Sequence, residues 1–438
     1  ESGADRGNKD SLRLRWITGV LAAIFLVVLI LFCSWINETL TAAICNKLIS
    51  SLGYCNNYIA AFVTAILLLV SGLTTSRLIN TNRFSLHGMY RNRLIRAYLG
   101  ASAKRRPDPF TGFSHGDNPT MEQLAQDRKK RGVRMLFPVI NMSLNLVNTK
   151  VTAWQERKAR PFTVTPHYVG AAGLGYQPVI NYGHGITLGT AMAISGAAMS
   201  PNQGYNSSAA LSLLMTLFNV RLGWWLPNPG PSGAGHYEKD GPEWAARSLF
   251  SEALGLTNDQ RPFVYLSDGG HFDNLGLYEM VRRRCRMLVV VDAGCDRDRH
   301  FRDLGNAVRK VRVDFGINIR FNQLKLPIRC GFQPTPGTYV ALGTVGYSDV
   351  DGTSEKENGL LLYIKPSCHG TEDMDICHYA KSHPDFPHET TSDQCFGESQ
   401  FESYRALGAF IVHDLCSKVK NSASLSKLFQ HLLAQKTE

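Results

Sequence analysis

Two uncharged apolar runs constrain this chain more than any other feature. Trp16 to Ile36 passes 21 residues without a charged side chain, through VLAAIFLVVLILF, and Asn57 to Ser76 passes another 20, centred on AAFVTAILLLV. At about 1.5 Å of rise per residue, a helix of either length crosses the roughly 30 Å hydrocarbon core of a bilayer. A helix in the core of a soluble protein would be shorter or carry a polar stripe, and neither run does. The first run is also too long for a signal peptide and has no small-residue cleavage site after it. Both read as transmembrane.

Charge sets the expected orientation. Lys9, Arg13 and Arg15 precede the first run, and Arg77 to Arg106 holds eight Lys or Arg with no acid. Cytoplasmic flanks carry such an excess, so residues 16–76 are expected to form a hairpin with both ends inside, after a cytoplasmic flank at 1–15. The connecting loop, residues 37–56, would face the opposite side. Its Cys45 and Cys55 can pair there, although spacing alone does not decide it. The other eight of the ten cysteines form no paired framework, and reduced thiols in a cytosolic domain are the expectation for them.

The whole chain has 47 Lys plus Arg against 36 Asp plus Glu, a net charge of +11. A basic juxtamembrane segment spans 77–134 and ends in Arg128, Lys129, Lys130, Arg131 and Arg134. Aromatic residues are not interleaved with Arg128 to Arg134, as single-strand binding would require, and no nucleic-acid motif is evident. Anionic lipid headgroups are therefore the expected partner of the charge, and nucleic acid is not expected.

Residues 135–438 read as an α/β domain. Phe263 to Asp268 (FVYLSD) is a short buried strand broken by Gly269-Gly270. Leu275 to Arg284 has helical spacing with cationic residues in its last turn. Arg286 to Asp292 (RMLVVVD) is a continuous apolar run, as a parallel strand buried on both faces requires. Phe301 to Val311 then reads as a helix, and Arg312 to Ile319 as a further strand. Asp268 and Asp292 would both stand at carboxyl ends of strands, the edge where open sheets place their sites. An acid before two glycines suits a turn that a ligand can approach closely. It equally suits a helix cap, a role open to Asp273 or Asn274 as well.

The segment YLSDGGHFDNLGLYEMVRRRCRMLVVVDAG resembles the catalytic-aspartate region of the patatin-like phospholipases and the related cytosolic phospholipases. The matching pieces are Asp268-Gly269-Gly270, Asn274 to Leu277, Arg282 to Arg286, and Val289 to Asp292. Ala191 to Pro201 (AMAISGAAMSP) resembles the small-residue segment that packs beside that family's active site. Over about Arg83 to Gly408 the chain is similar to large bacterial membrane-anchored patatin-like proteins. The resemblance implies a patatin-like three-layer domain and a Ser-Asp dyad acting on membrane phospholipid, with no cofactor and no metal. Asp268 would be the general base, and Gly269 and Gly270 would shape its turn.

The nucleophile departs from that pattern. Gly112-Phe113-Ser114-His115-Gly116 matches a G-x-S-x-G elbow in form, but it lies among prolines with no buried strand before it. Ser195 reads as a close-packing residue. Gly183, Gly185 and Gly189 lack dinucleotide spacing. The polar tract from Cys368 to Cys395, with His369, His378, His383 and His388, matches no zinc framework and reads as a solvated loop. Asp292, Asp296 and Asp298 read as a loop after a strand in preference to a cation site. Because the chain begins at Glu1 and not Met, the serine is expected upstream, in the same precursor. The expected activity is a lipid acyl hydrolase anchored in the bacterial inner membrane, with its α/β domain cytoplasmic and this chain inactive alone. Two alternatives stand beside it: a catalytically incomplete membrane scaffold of the same fold, and an acyltransferase on the same dyad.

Overall fold

The computed structural model describes residues 2–52, 54–100, 107–110, 112, 114, 116–131, 137–321, 338–390, 393, 396–417 and 424–434. Lys104 to Arg106, Phe113, His115, Arg134 and Cys395, all named above, lie outside the described residues. The chain divides into two compact units, 1–272 and 273–438.

The first unit opens with α1 (Ser2–Leu52) and α2 (Asn57–Leu78). Residues 23–51 and 57–78 are long and apolar enough to cross a membrane, by length and composition. The helices pack on each other, with Thr41 Oγ1 donating to Thr64 Oγ1 at 3.2 Å and a Cys45–Cys55 disulfide near their shared end. The connection is shorter than expected. Residues 37–52 continue α1, because they hold no Gly or Pro and only two charged residues, Glu38 and Lys47, and only 53–56 connect the two helices. Three short segments follow: α3 (His87–Leu94), α4 (Met121–Arg131) and a π turn between them at Ile95–Leu99. A capping box starts α4, where Thr120 N–H donates to Gln123 Oε1 and Gln123 N–H to Thr120 Oγ1.

A curled six-stranded sheet forms the body of this unit. In chain order its elements are β1 (Ile140–Asn145), the short α5 (Thr152–Gln155), β2 (Ala159–Val164), β3 (Tyr168–Ala171) and β4 (Gly175–Pro178). Then come α6 (Leu188–Ser195), α7 (Ala209–Leu217), β5 (Trp224–Pro227), α8 (Ala245–Ala253) and β6 (Phe263–Ser267). The spatial order is β4-β3-β2-β1-β6-β5, and every pairing is antiparallel. Met142, Leu144, Phe162, Val164, Leu226, Val264 and Leu266 form its core with Ile194 from α6.

The second unit contains α9 (Leu277–Arg282), β7 (Met287–Val291), α10 (Arg302–Phe315), β8 (Ile319–Phe321) and β9 (Val340–Val345). It continues with α11 (Ser348–Asp351), β10 (Gly359–Ile364), α12 (Met374–Ser382), α13 (Glu398–Ser417) and α14 (Leu425–Ala434). Its sheet runs β7-β10-β9-β8, parallel only between β7 and β10. Leu362, Ile364, Ile376, Leu407, Ile411 and Phe429 pack into one cluster.

The structure is mixed α/β, but it is not the patatin-like three-layer fold. Residues 263–267 and 287–291, expected side by side in one parallel sheet, belong to different sheets. The continuous apolar run misled because β7 is an edge strand that alternates. Leu288 and Val290 are buried, while Met287, Val289 and Val291 are exposed.

The candidate acid turn and its neighbours

Asp268 follows the last residue of β6, a strand whose Val264 to Ser267 are all buried between β1 and β5. Its Oδ1 accepts from Gly270 N–H at 2.6 Å and so caps the short turn Gly269–His271. The capping and catalytic expectations therefore fall on the same carboxylate. Asp273 caps the start of α9 separately, accepting from Leu275 N–H at 3.1 Å and Tyr278 N–H at 2.8 Å.

Gly269 stands where no side chain fits. A Cβ there would lie 2.9 Å from the Asn141 carbonyl oxygen and 3.8 Å from Ser195 Oγ. That close approach brings β1 and the end of α6 against the acid turn. Ser195 Oγ donates to Asn141 O at 2.7 Å, Ser143 Oγ donates to Gly269 O at 3.2 Å, and Asp268 N–H reaches Ala197 O at 3.4 Å. Ser267 Oγ accepts from Asn145 Nδ2 at 2.8 Å and lies 2.7 Å from His271 Nδ1. Asp268 is thus ringed by a tightly bonded scaffold from β1, α6 and its own turn.

Burial dominates the electrostatics. It pushes the Asp268 carboxyl up to about 6, against the opposing hydrogen bond from Gly270 N–H. Burial also lowers His271 to about 4, opposed by a hydrogen bond to the Ala198 backbone, so this imidazole is neutral at pH 7. Tyr90 on α3 was not singled out by the sequence. Burial and then the nearby Asp268 charge raise its phenol, and its OH lies 2.5 Å from where a Cβ on Gly196 would be. A tyrosine 178 positions before its acid partner leaves no spacing signal, and only the packing of α3 on α6 joins them.

The other named residues are placed elsewhere. Ser114 lies outside any helix or strand, its N–H donating to Asp117 Oδ2 at 3.3 Å, and no strand precedes it among the described residues 107–110 and 112. Asp292 is buried in the second unit, where Lys365 Nζ donates to Oδ1 at 2.9 Å and Tyr363 OH donates to Oδ2 at 2.5 Å. Asp296 accepts from His300 N–H and Phe301 N–H, which is the work of a loop. The polar tract is a solvated loop only in part: Asp373, Asp375, His378, His383 and Asp385 are exposed. Cys368, His369 and His388 are buried, and residues 374–382 form α12. Glu372 organises it by accepting from His369 N–H, Gly370 N–H and Tyr339 OH. Cys368 is disulfide-bonded, against the expectation of reduced thiols, whereas Cys285, Cys295 and Cys377 are free. Among the described residues no group of three His, Cys, Asp or Glu is arranged to hold a metal ion.

No family model matches the chain, and no curated protein matches it. The structure of human GIVD cytosolic phospholipase A2 aligns over 83% of this chain and 55% of that chain, at 13% identity and a TM-score of 0.37. The chain thus spans about half the length of that structure. Assignment to the patatin-like family, and to its large bacterial membrane-anchored members, is corrected by the wholly antiparallel sheet that carries Asp268. What stands is a weak structural similarity to a cytosolic phospholipase A2.

Proposed function

We propose that this chain is the membrane-anchored, base-carrying part of a lipid acyl-ester hydrolase. The observation that carries the reading is Asp268, a half-buried carboxylate at a strand end with its pKa pushed up to about 6. A carboxylate in that range is mostly ionised at pH 7 yet basic enough to take a proton in a transition state. A serine hydroxyl would give its proton to Asp268 as its oxygen bonds to the acyl carbon. Asp268 would pass that proton to the leaving alcohol, then take one from the attacking water and return it to the serine oxygen as the fatty acid is released. Gly270 N–H is committed to Asp268 and so does not serve as an oxyanion donor.

Among the described residues, none of the serines bonded into the turn suits the nucleophilic role. Ser195 and Ser143 donate to backbone carbonyls, and Ser267 is held between Asn145 and His271. The reading therefore places the nucleophile on a segment outside residues 1–438. The apolar helices α1 and α2 would hold the acid turn at a membrane, with phospholipid as substrate and anionic headgroups against Arg77 and Arg83.

A fluorophosphonate probe tests the assignment. In the full-length protein it should label one serine outside these residues, and residues 1–438 alone should stay unlabelled. Labelling of Ser114, Ser195 or Ser267 would overturn it. Absence of both label and hydrolysis in the full-length protein would favour a non-enzymatic scaffold. Transfer of acyl groups to an added alcohol in preference to water would favour an acyltransferase.

A further inference from the structure

Helix α8 is inside out for a soluble protein. It buries Ala245, Ser248, Ser251, Glu252 and Ala253. Phe250 next to them is 65% exposed, Leu254 62% and Trp244 40%. The buried side is polar for a reason: Glu252 accepts from Arg221 Nη1 at 2.8 Å and from Trp225 Nε1 at 2.6 Å. Helix α7 packs on α8 and leaves Leu217 and Phe218 exposed at its end. Large apolar groups left exposed in such a patch mark an interaction surface.

The hairpin says what covers it. The Phe25 ring of α1 lies tilted against Phe218 with centroids 4.6 Å apart, and Ala246 N–H of α8 donates to Ser76 Oγ of α2 at 2.9 Å. Arg77 pairs with Glu243 at 3.5 Å and lies over the Trp244 ring at 5.2 Å. Counting outward residue for residue from the Thr41–Thr64 contact sets Leu78, the last residue of α2, level with Val27. The uncharged run of α1 begins at Trp16, so about three of its turns extend past the end of α2. Those turns must also lie in an apolar medium, and α7 stands beside them at Phe25.

We propose that α7 and α8 form a lipid-binding face continuous with the hairpin and sunk into the headgroup and acyl boundary of the leaflet. Phe218, Phe250 and Leu254 reach the acyl chains, as the apolar side of an amphipathic anchor does. This rests on the membrane reading above and deepens it. The chain from Gly196, beside the acid turn, to α7 carries the exposed Met199 and Tyr205, so an acyl ester approaches Asp268 along the leaflet.

The test is photocrosslinking, with no activity readout. p-Benzoylphenylalanine is placed singly at Phe218, Phe250, Leu254 and, as control, Tyr168, an exposed aromatic on β3. The full-length protein is reconstituted in vesicles of phosphatidylcholine and phosphatidylglycerol and irradiated. Lipid adducts by mass spectrometry should be at least about ten-fold more abundant at the three test positions than at Tyr168, as acyl-level burial requires. Equal yields at all four would overturn the proposal. So would adducts to a second copy of the chain in place of lipid. Either failure leaves the hydrolase reading standing, because catalysis is not measured.

Discussion

Asp268→Asn in the full-length protein is expected to lower kcat for acyl-ester hydrolysis by about 10²- to 10⁴-fold, the usual contribution of a positioned general base. The fold should survive the change. Asn still accepts the hydrogen bond from Gly270 N–H, and Asn and Asp cap turns about equally well. Stability should in fact rise at alkaline pH. The folded pKa of about 6 lies above the ordinary 3.8, so the folded state holds the proton more tightly than the unfolded chain. The native protein therefore loses stability as pH rises from about 4 through 6, and Asn removes that loss. At pH 8 the variant should be more stable by up to about 2–3 kcal/mol, from roughly two units at 1.36 kcal/mol each. Near pH 4 the two should converge. Denaturant melts at the two pH values check this alongside the rate. A carboxylate that only caps the turn predicts activity kept in the Asn variant, because Asn preserves the cap.

The second large effect concerns the other unit. Lys365→Ala should destabilise it by about 3–5 kcal/mol, because the change strands the buried Asp292 without its cation. Lys365 is 1% exposed and also donates to Gly294 O at 2.8 Å, so water does not replace the ammonium readily. Replacing both partners, Lys365→Met with Asp292→Leu, should recover most of that loss, since no buried charge then remains. Tyr363 OH would still lose its acceptor, which keeps the recovery incomplete. Calorimetry of the wild type, the single variant and the double variant separates these terms. A single variant within 1 kcal/mol of wild type would mean that water reaches Asp292.

How much of this the sequence carried depends on the range of each signal. The two apolar helices were legible because hydropathy over some twenty residues is a local property. So were the strand at 263–267, the turn after it and the disulfide as a possibility. Sheet membership was not. FVYLS and RMLVVV look alike as apolar runs, yet one is a central antiparallel strand and the other a parallel edge. What separates them is the partner strand: β1 lies over a hundred residues before β6, and β10 lies 68 residues after β7. The polar tract misled for a similar reason. Asp373, Asp375, His378, His383 and Asp385 are exposed as expected, whereas His369 packs on Tyr339 and Glu372 and is buried.

Asp268 and its glycines were legible from turn chemistry as a strand end followed by a capped turn, and their catalytic role rested on the resemblance alone. Tyr90 was not, because α3 sits in a basic segment that reads as topology alone. Gly196 beside Tyr90 and Gly269 beside Asn141 mark the close approaches that assemble the site. From sequence, each was one more small residue.

The pH dependence of kcat/KM in the full-length protein tests the central claim most directly. If Asp268 is the base, the rate requires its ionised form. The profile should fall tenfold per pH unit below an apparent pKa near 6, and Asp268→Asn should abolish that limb along with most of the rate. Full activity retained down to pH 4.5, or an acid limb near 6 that persists in the Asn variant, would contradict it.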